Sequence, residues 1–156
     1  MNNLTDNSVE HLVYAAKALH IDGLGERTSA LLNHHFKITR IWELLRYNYA
    51  GQMRYIPEFS EERVDQLYIN LRQAVNQVYD YEIYDALMLP NCTREFWQDV
   101  CRDERIWDTP NSGINRYPKE TVETILLQFP HHESAMMFKY FKPLRYRLVL
   151  ADVQAT

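Results

Sequence analysis

The sequence predicts an all-α fold, and two observations carry the prediction. Apolar residues recur at intervals of three and four, which is the spacing of one face of a helix. The two longest faces of this kind are Leu12, Ala15, Ala16 and Leu19, and Val64, Leu67, Leu71, Val75 and Val78. Short segments marked by Gly or Pro separate these stretches and are typical of turns. The pattern indicates consecutive helices joined by tight connections.

Start and stop signals place the individual helices. Ser60 followed by Glu61 and Glu62 is a helix start, Thr93 can cap another helix, and Pro118 suits a first helical turn. The helices expected from these signals run from Asn7 or Ser8 to about Leu19, Arg27 to about Phe36, Thr39 to a break at 48–51, Ser60 to about Tyr81, Ile83 to Leu89 as its bent continuation, Arg94 to Arg105, Lys119 to Gln128, and Glu133 to Phe141. A loop is expected from Asp108 to Gly113.

The C-terminal end is predicted to differ from the rest of the chain. Residues 146–153 alternate little but include β-branched side chains, which favour a short strand or an extended arm. The domain division expected is residues 1–80 and residues 81–156, with the second part helical and either separate or packed on the first as one unit.

A weak internal echo suggests that the second half is a diverged copy of the first. Arg54-Tyr55-Ile56-Pro57 resembles Arg116-Tyr117-Pro118, and each is followed by a helical pattern. The preceding helix in each half starts at an arginine, Arg27 or Arg94, and is followed by Ile-Trp. Helices of this composition are common, so the repeat is a hypothesis.

Composition limits the classes of function. The chain has 156 residues, 46% of them hydrophobic, which is enough for a core. A net charge of −4 argues against a broadly basic nucleic-acid binder but permits a local basic patch. We expect a cytoplasmic protein without a membrane segment, since the chain shows no signal peptide, no long apolar run and only two cysteines.

The residues that could carry catalysis or bind a metal do not form a recognisable site. The candidate ligands are His34, His35, His131, His132, Glu133, Cys92 and Cys101. Adjacent histidines on a helix point about 100° apart, and the cysteines are too distant in sequence for a short chelating motif. The sequence also has no nucleophile elbow and no phosphate-binding loop. We therefore expect no metal, no cofactor and no enzymatic activity.

The first turn, residues 20–25, is the leading candidate for a binding site. Gly23 and Gly25 permit unusual backbone conformations and close approach, and the following helix presents unpaired N–H groups. Arg27 and Thr28 lie in its first turn, so a phosphate could bind there. The alternative is that the two glycines only close a sharp turn and that Arg27 points into water.

The basic segment, residues 139–147, is the second candidate. Lys139, Lys142, Arg145 and Arg147 alternate there with aromatic residues and no acidic ones. The cations could bind phosphates while the rings stack on bases. Alternatively, the rings pack inward and the long cationic side chains cover them.

Residues 25–75 are similar to the C-terminal domain of the bacterial RNA polymerase alpha subunit, which contains two helix-hairpin-helix elements. The matching motifs are Arg27-Thr28, then Ile38-Thr39-Arg40-Ile41-Trp42-Glu43-Leu44, then Ile56-Pro57-Glu58-Phe59, and the helical face of Val64, Leu67 and Leu71. The resemblance implies DNA contacts at both turns. At the second turn, residues 56–59, the family continues with Gly, Lys and Ser, whereas this chain has Ser60-Glu61-Glu62-Arg63. An Asn that the family uses is also replaced, at about Ala30 or Leu31.

These observations predict a small nucleic-acid-binding accessory protein related to transcription. DNA is expected in preference to RNA, with contacts at Gly23, Gly25, Arg27 and Thr28 and at the four cations of the basic segment. The alternative is a protein-interaction module on the same fold that has lost DNA binding. Its partner would be another protein or a second copy of the chain.

Overall fold

A computed structural model describes residues 7–103 and 117–155. These residues form helices and no β-strand, with one isolated bridge between Tyr79 and Leu144. The all-α prediction is confirmed. The helices are α1 (Ser8–Ala18), α2 (Glu26–Phe36), α3 (Glu43–Arg46), α4 (Ala50–Met53), α5 (Glu61–Val75), α6 (Asp80–Asp85), α7 (Arg94–Asp103), α8 (Lys119–Gln128), α9 (His131–Tyr140) and α10 (Tyr146–Ala155).

Two of the predicted N-caps are confirmed. The Ser60 hydroxyl oxygen accepts a hydrogen bond from the backbone N–H of Arg63 at 3.2 Å, where α5 starts. The Thr93 hydroxyl oxygen accepts from the N–H of Phe96 at 3.1 Å, at the start of α7. Each bond satisfies an N–H that has no partner inside its helix.

Thr39 does not have the predicted capping role. The Glu43 carboxylate accepts instead from the N–H and hydroxyl of Thr39 and from the N–H of Arg40, at 2.9 to 3.0 Å. Helix α3 therefore starts at Glu43, four residues later than predicted. A carboxylate reaching back to free N–H groups competes with a hydroxyl cap because it is the stronger acceptor.

The helix predicted from Ser60 to about Tyr81 ends earlier, at Val75. Beyond it the chain pairs with the link between α9 and α10. Backbone N–H groups of Lys142 and Leu144 donate to the carbonyls of Val75 and Val78, both at 2.8 Å, and the N–H of Asp80 donates to the carbonyl of Leu144 at 2.9 Å. These long-range bonds replace helical ones, and α6 starts afresh at Asp80.

The predicted C-terminal arm is helical, so the extended arm or short strand is wrong. Helix α10 runs from Tyr146 to Ala155, and its first backbone bond joins the N–H of Val149 to the carbonyl of Arg145 at 3.1 Å. Only Val149 and Val153 are β-branched there, whereas the Leu, Ala, Arg and Gln residues of the segment favour a helix.

Three sequence predictions fall wholly or partly outside the described residues. The loop from Asp108 to Gly113 lies there, as does the end of the helix predicted to reach Arg105. The proposed repeat includes residues 104–116 and stays a prediction.

Residues from both halves of the chain share one apolar core. Met137 and Phe141, which follow α8, are 3% and 0% exposed and belong to the same buried cluster as Leu12, Leu32 and Leu71. A second cluster surrounds the fully buried Trp97 and includes side chains of α6, α7 and α8. The later helices thus cover the earlier ones, and the division at residue 80 remains a prediction.

A buried polar network joins α1, α6 and α7. The Glu82 carboxylate accepts from Arg94 at 3.0 Å and is hydrogen-bonded to His20, while only 4% of its side chain is exposed. The Tyr14 hydroxyl donates to Asp85 at 2.8 Å. Burial raises the pKa of Asp85 and, with the hydrogen bond to Asp85, raises the pKa of Tyr14 to about 12. The network is internally paired and holds the helices in register.

His11 on α1 should make stability depend on pH. Burial, followed by the nearby Arg40 charge, lowers its pKa below the ordinary value of 6.5, although Glu133 opposes the shift. The lowered pKa therefore adds to the free energy of unfolding. This contribution is fully present above pH 6.5, the ordinary pKa of the unfolded chain, and it is lost as the pH falls through the lower pKa of folded His11. Urea unfolding at pH 7.5 and 5.5 should show a smaller pH effect in His11→Gln than in the wild type. The exposed His34→Gln should behave as the wild type, and equal pH dependence of the two variants would contradict the prediction.

Candidate nucleic-acid interface

The first turn contains one glycine that its backbone requires. Gly23 has φ +92°, a conformation that other residues rarely adopt, and a Cβ there would lie 3.9 Å from Nδ2 of Asn70. Gly25 has φ −84°, which any residue can adopt, and a Cβ there would have nothing within 4 Å. The turn thus depends on Gly23, while Gly25 leaves open space at the N-terminus of α2.

Helix α2 starts without a side-chain cap. Gly25 occupies the N-cap position, and Glu26 and Arg27 follow it at exposed positions. Within residues 7–103 and 117–155, the Arg27 guanidinium has no hydrogen-bond or ion-pair partner. Exposed N–H groups, the positive end of the helix dipole and a free guanidinium are the elements of an anion site, although the Glu26 carboxylate competes for it.

Thr28 has a different environment from Arg27. It is 4% exposed, and its hydroxyl oxygen accepts from the Arg63 guanidinium at 2.8 Å. Asn70 of α5 also donates to the carbonyl of Asp22 at 2.9 Å. Helix α5 is therefore attached to the first turn through Asn70 and to the start of α2 through Arg63, whose partner is Thr28.

The second turn offers no comparable anion site. Ser60 caps the helix that follows it, and Arg63 is held by Thr28 and lies 5.7 Å from the Phe59 ring. The carboxylates around it, Glu58, Glu61 and Glu62, are all exposed. Like charges oppose the approach of a phosphate backbone.

The basic segment has exposed cations and inward-facing rings. Lys139, Lys142, Arg145 and Arg147 are all exposed, at the end of α9, in the link, and at the start of α10. The aromatic residues pack against the protein. Phe141 is fully buried, Tyr140 stacks on Trp42 with ring centroids 6.3 Å apart, and Tyr146 lies edge-on to Tyr81 at 4.9 Å. The placement of the rings matches the packing alternative.

The two candidate regions contact α5 at different points. The start of α2 is attached at Arg63, the first turn at Asn70, and the link containing Lys142 at Val75. Arg63 and Val75 are twelve residues apart, or about 18 Å along the helix axis, whereas Asn70 and Val75 are five residues apart, or about 7.5 Å. The cation at the start of α2 is therefore separated along α5 from those of the basic segment.

The sequence interpretation missed two features of α5. Arg63 joins the two turns, and no local pattern indicates that contact. A recess of about 450 Å³ between α4 and α5 includes Arg54, Ile69 and Arg72. The signal that could have pointed to it is the Arg-Tyr pair that occurs at 46–47 and again at 54–55.

The described residues show neither a metal cluster nor a membrane span. No group of three or more metal-binding side chains comes together within residues 7–103 and 117–155. Cys92 and Cys101 are not disulfide-bonded, and burial together with nearby Asp85 raises the pKa of the Cys92 thiol to about 11. None of the described helices has the length and apolar character needed to cross a bilayer.

Comparison of the chain with protein families, with curated proteins and with solved structures finds no match.

Proposed function

We propose that this chain is a small nucleic-acid-binding accessory protein, related to transcription, that binds DNA in preference to RNA. In this proposal α1, the first turn and α2 form one helix-hairpin-helix element, and α4, the second turn and α5 form another. The motifs shared with the alpha-subunit domain support this assignment. The left-handed backbone at Gly23 also supports it, because a sharp turn there brings two consecutive helices together.

The observation that carries the function is Arg27. Its guanidinium is exposed and without a partner in the described chain, and it stands beside the uncapped N-terminus of α2. Arg63, the corresponding cation of the second turn, is bonded to Thr28. The proposed phosphate contact is therefore at the first turn alone.

One observation favours the alternative, a protein-interaction module. The exposed carboxylates Glu26, Glu58, Glu61 and Glu62 lie within five residues of Arg27 or Arg63 along the chain, so four carboxylates accompany two guanidiniums. A surface of this charge repels a polyanion and suits a partner with basic and polar groups. The exposed cations of the basic segment could then contact an acidic partner or a second copy of the chain.

Binding to labelled duplex DNA in a salt series, followed by fluorescence anisotropy, tests the proposal. Arg27→Ala should weaken binding and reduce the slope of log affinity against log salt by about one, because one phosphate contact is lost. The matched control is Lys119→Ala on α8, which removes the same charge from a side chain that is 54% exposed. It should change neither quantity.

The outcomes separate the two candidate functions. Salt-dependent binding that only Arg27→Ala weakens supports the phosphate site. The absence of duplex binding at low salt would reject it. Self-association or capture of a partner through the acidic turn surface would then support the interaction module.

A further inference from the structure

The recess between α4 and α5 lies on a different side of α5 from the first turn and the start of α2. Arg63 contacts Thr28 of α2 and Asn70 contacts the first turn, whereas Asp65, Ile69 and Arg72 line the recess. At about 100° per residue, these two sets of side chains lie on average about 140° apart around the helix. The recess is therefore a surface distinct from the proposed phosphate contact at Arg27.

The recess has a firm floor and an open entrance. The Tyr68 hydroxyl accepts from the backbone N–H of Tyr49 at 2.9 Å, which fixes the ring between α4 and α5. Ile69 leaves 39% of its surface exposed beside it. Gly51 at the rim has no neighbour within 4 Å of a Cβ position.

The charge around the recess is predominantly positive. Arg54 pairs with Asp65 at 2.7 Å, and Arg72 has no ion-pair partner among the described residues. The Arg46 guanidinium lies 5.3 Å from the Tyr47 ring. Arg54 and Arg72 thus outnumber Asp65 among the residues that line the recess. Arg46 and Glu43 lie outside the lining, and the Glu43 carboxylate keeps its charge while it accepts from the N–H groups of Thr39 and Arg40.

Two exposed tyrosines flank this basic surface. Tyr55 is 90% exposed and Tyr47 is 51% exposed, although a tyrosine ring normally buries much of its area. Tyr47 precedes Asn48 and Tyr55 follows Arg54, and both of those neighbours line the recess. The Tyr47 ring lies edge-on to that of Tyr49 with centroids 6.0 Å apart, but more than half of Tyr47 stays exposed. The two exposed rings differ from those of the basic segment, which pack inward.

We propose that this surface, formed by Arg46, Tyr47, Arg54, Tyr55 and Arg72, binds single-stranded nucleic acid. Unstacked bases would lie on the two tyrosine rings while the arginines contact phosphates, the combination that sequence-tolerant single-strand binding uses. A duplex does not expose the faces of its bases to such rings. An acidic peptide without aromatic side chains would satisfy the arginines but would leave the tyrosine rings without a stacking partner. The inference is independent of the proposed duplex contact at Arg27.

The test is anisotropy of the full chain with a labelled oligothymidylate about twelve nucleotides long, within the usual footprint of such sites. Tyr55→Ala should weaken binding roughly tenfold, the range that stacking one base on an aromatic ring supplies. Tyr55→Phe should retain the affinity because the ring remains. Arg72→Gln should lower the salt slope by about 0.7, the value for one phosphate contact on a single strand. Since Tyr55 is almost fully exposed, its replacement leaves the fold intact.

A control variant distinguishes single-strand binding at this surface from duplex binding at Arg27. Arg27→Ala should not change oligothymidylate affinity, because Arg27 lies across α5 from the recess. The inference is overturned if the oligonucleotide does not bind at low salt, or if Tyr55→Ala binds as tightly as the wild type. It is also overturned if a poly-glutamate peptide competes equally with the oligonucleotide, since that would identify an acidic-peptide site. Loss of duplex binding alone would overturn only the proposed function.

Discussion

Leu71→Ala should lower the free energy of unfolding by roughly 2–5 kcal/mol, the usual cost of emptying a buried leucine site. Leu71 lies in the middle of α5 and is completely buried, in the cluster that combines side chains of both halves of the chain. The loss has two parts, the transfer free energy of the carbon atoms that are removed and the free-energy cost of the cavity that they leave behind. Urea unfolding followed by circular dichroism gives the quantity directly.

Leu127→Ala is the matched control. It makes the same change within helix α8, at a side chain that is 88% exposed, so the unfolding free energy should change by no more than about 0.5 kcal/mol. Both sites are helical, so the difference in intrinsic helix propensity between Leu and Ala largely cancels. Similar losses in the two variants would contradict the burial of Leu71 in the shared core.

Elements with local start signals could be predicted from the sequence. Ser60 and Thr93 cap α5 and α7 through their own hydroxyls, and Pro118 precedes a helix with the bounds expected, Lys119–Gln128. Capping and the helical period are properties of a few neighbouring residues. They can therefore be recognised before the rest of the fold is known.

Elements decided by distant contacts could not be predicted in the same way. The end of α5 at Val75 is fixed by backbone bonds to Lys142 and by the pairing of Val78 with Leu144, residues more than sixty positions away. The start of α3 is a local exception, because it depends on the Glu43 carboxylate, four residues from Thr39, which replaces the expected Thr39 cap. A local pattern contains no information about which distant backbone groups will compete for the same N–H.

Some features of the candidate site likewise follow from local sequence, and others depend on distant contacts. Arg27 is exposed at a helix start, as its position after Gly25 suggests, because exposure of a first-turn cation follows from local geometry. The bond from Arg63 to Thr28 and the burial of Phe141 depend on packing between segments that are distant in sequence. Sequence analysis therefore identified the cations of both regions without showing which aromatic rings remain free.

Arg94→Met should destabilise the protein by roughly 3 kcal/mol, the lower part of the range for breaking a buried ion pair. Arg94 donates to the Glu82 carboxylate at 3.0 Å and to the Tyr81 hydroxyl at 3.0 Å. Without it, the Glu82 carboxylate is left 4% exposed, with His20 and the backbone N–H of Tyr79 as its remaining donors. We place the loss at the lower end because 44% of the Arg94 side chain is already in water.

Arg54→Met is the matched control, because it removes the same cation from a carboxylate that is exposed instead of buried. The Arg54 side chain is 42% exposed, close to that of Arg94, but its partner Asp65 is 58% exposed and can be hydrated after the change. The expected loss is below about 1 kcal/mol, as for other surface pairs. Adding Glu82→Gln to Arg94→Met should recover part of the larger loss, because the amide still accepts from Tyr79 and carries no buried charge. If Arg94→Met costs no more than Arg54→Met, the buried carboxylate is not what joins α6 to α7, and apolar packing around Trp97 must carry that contact.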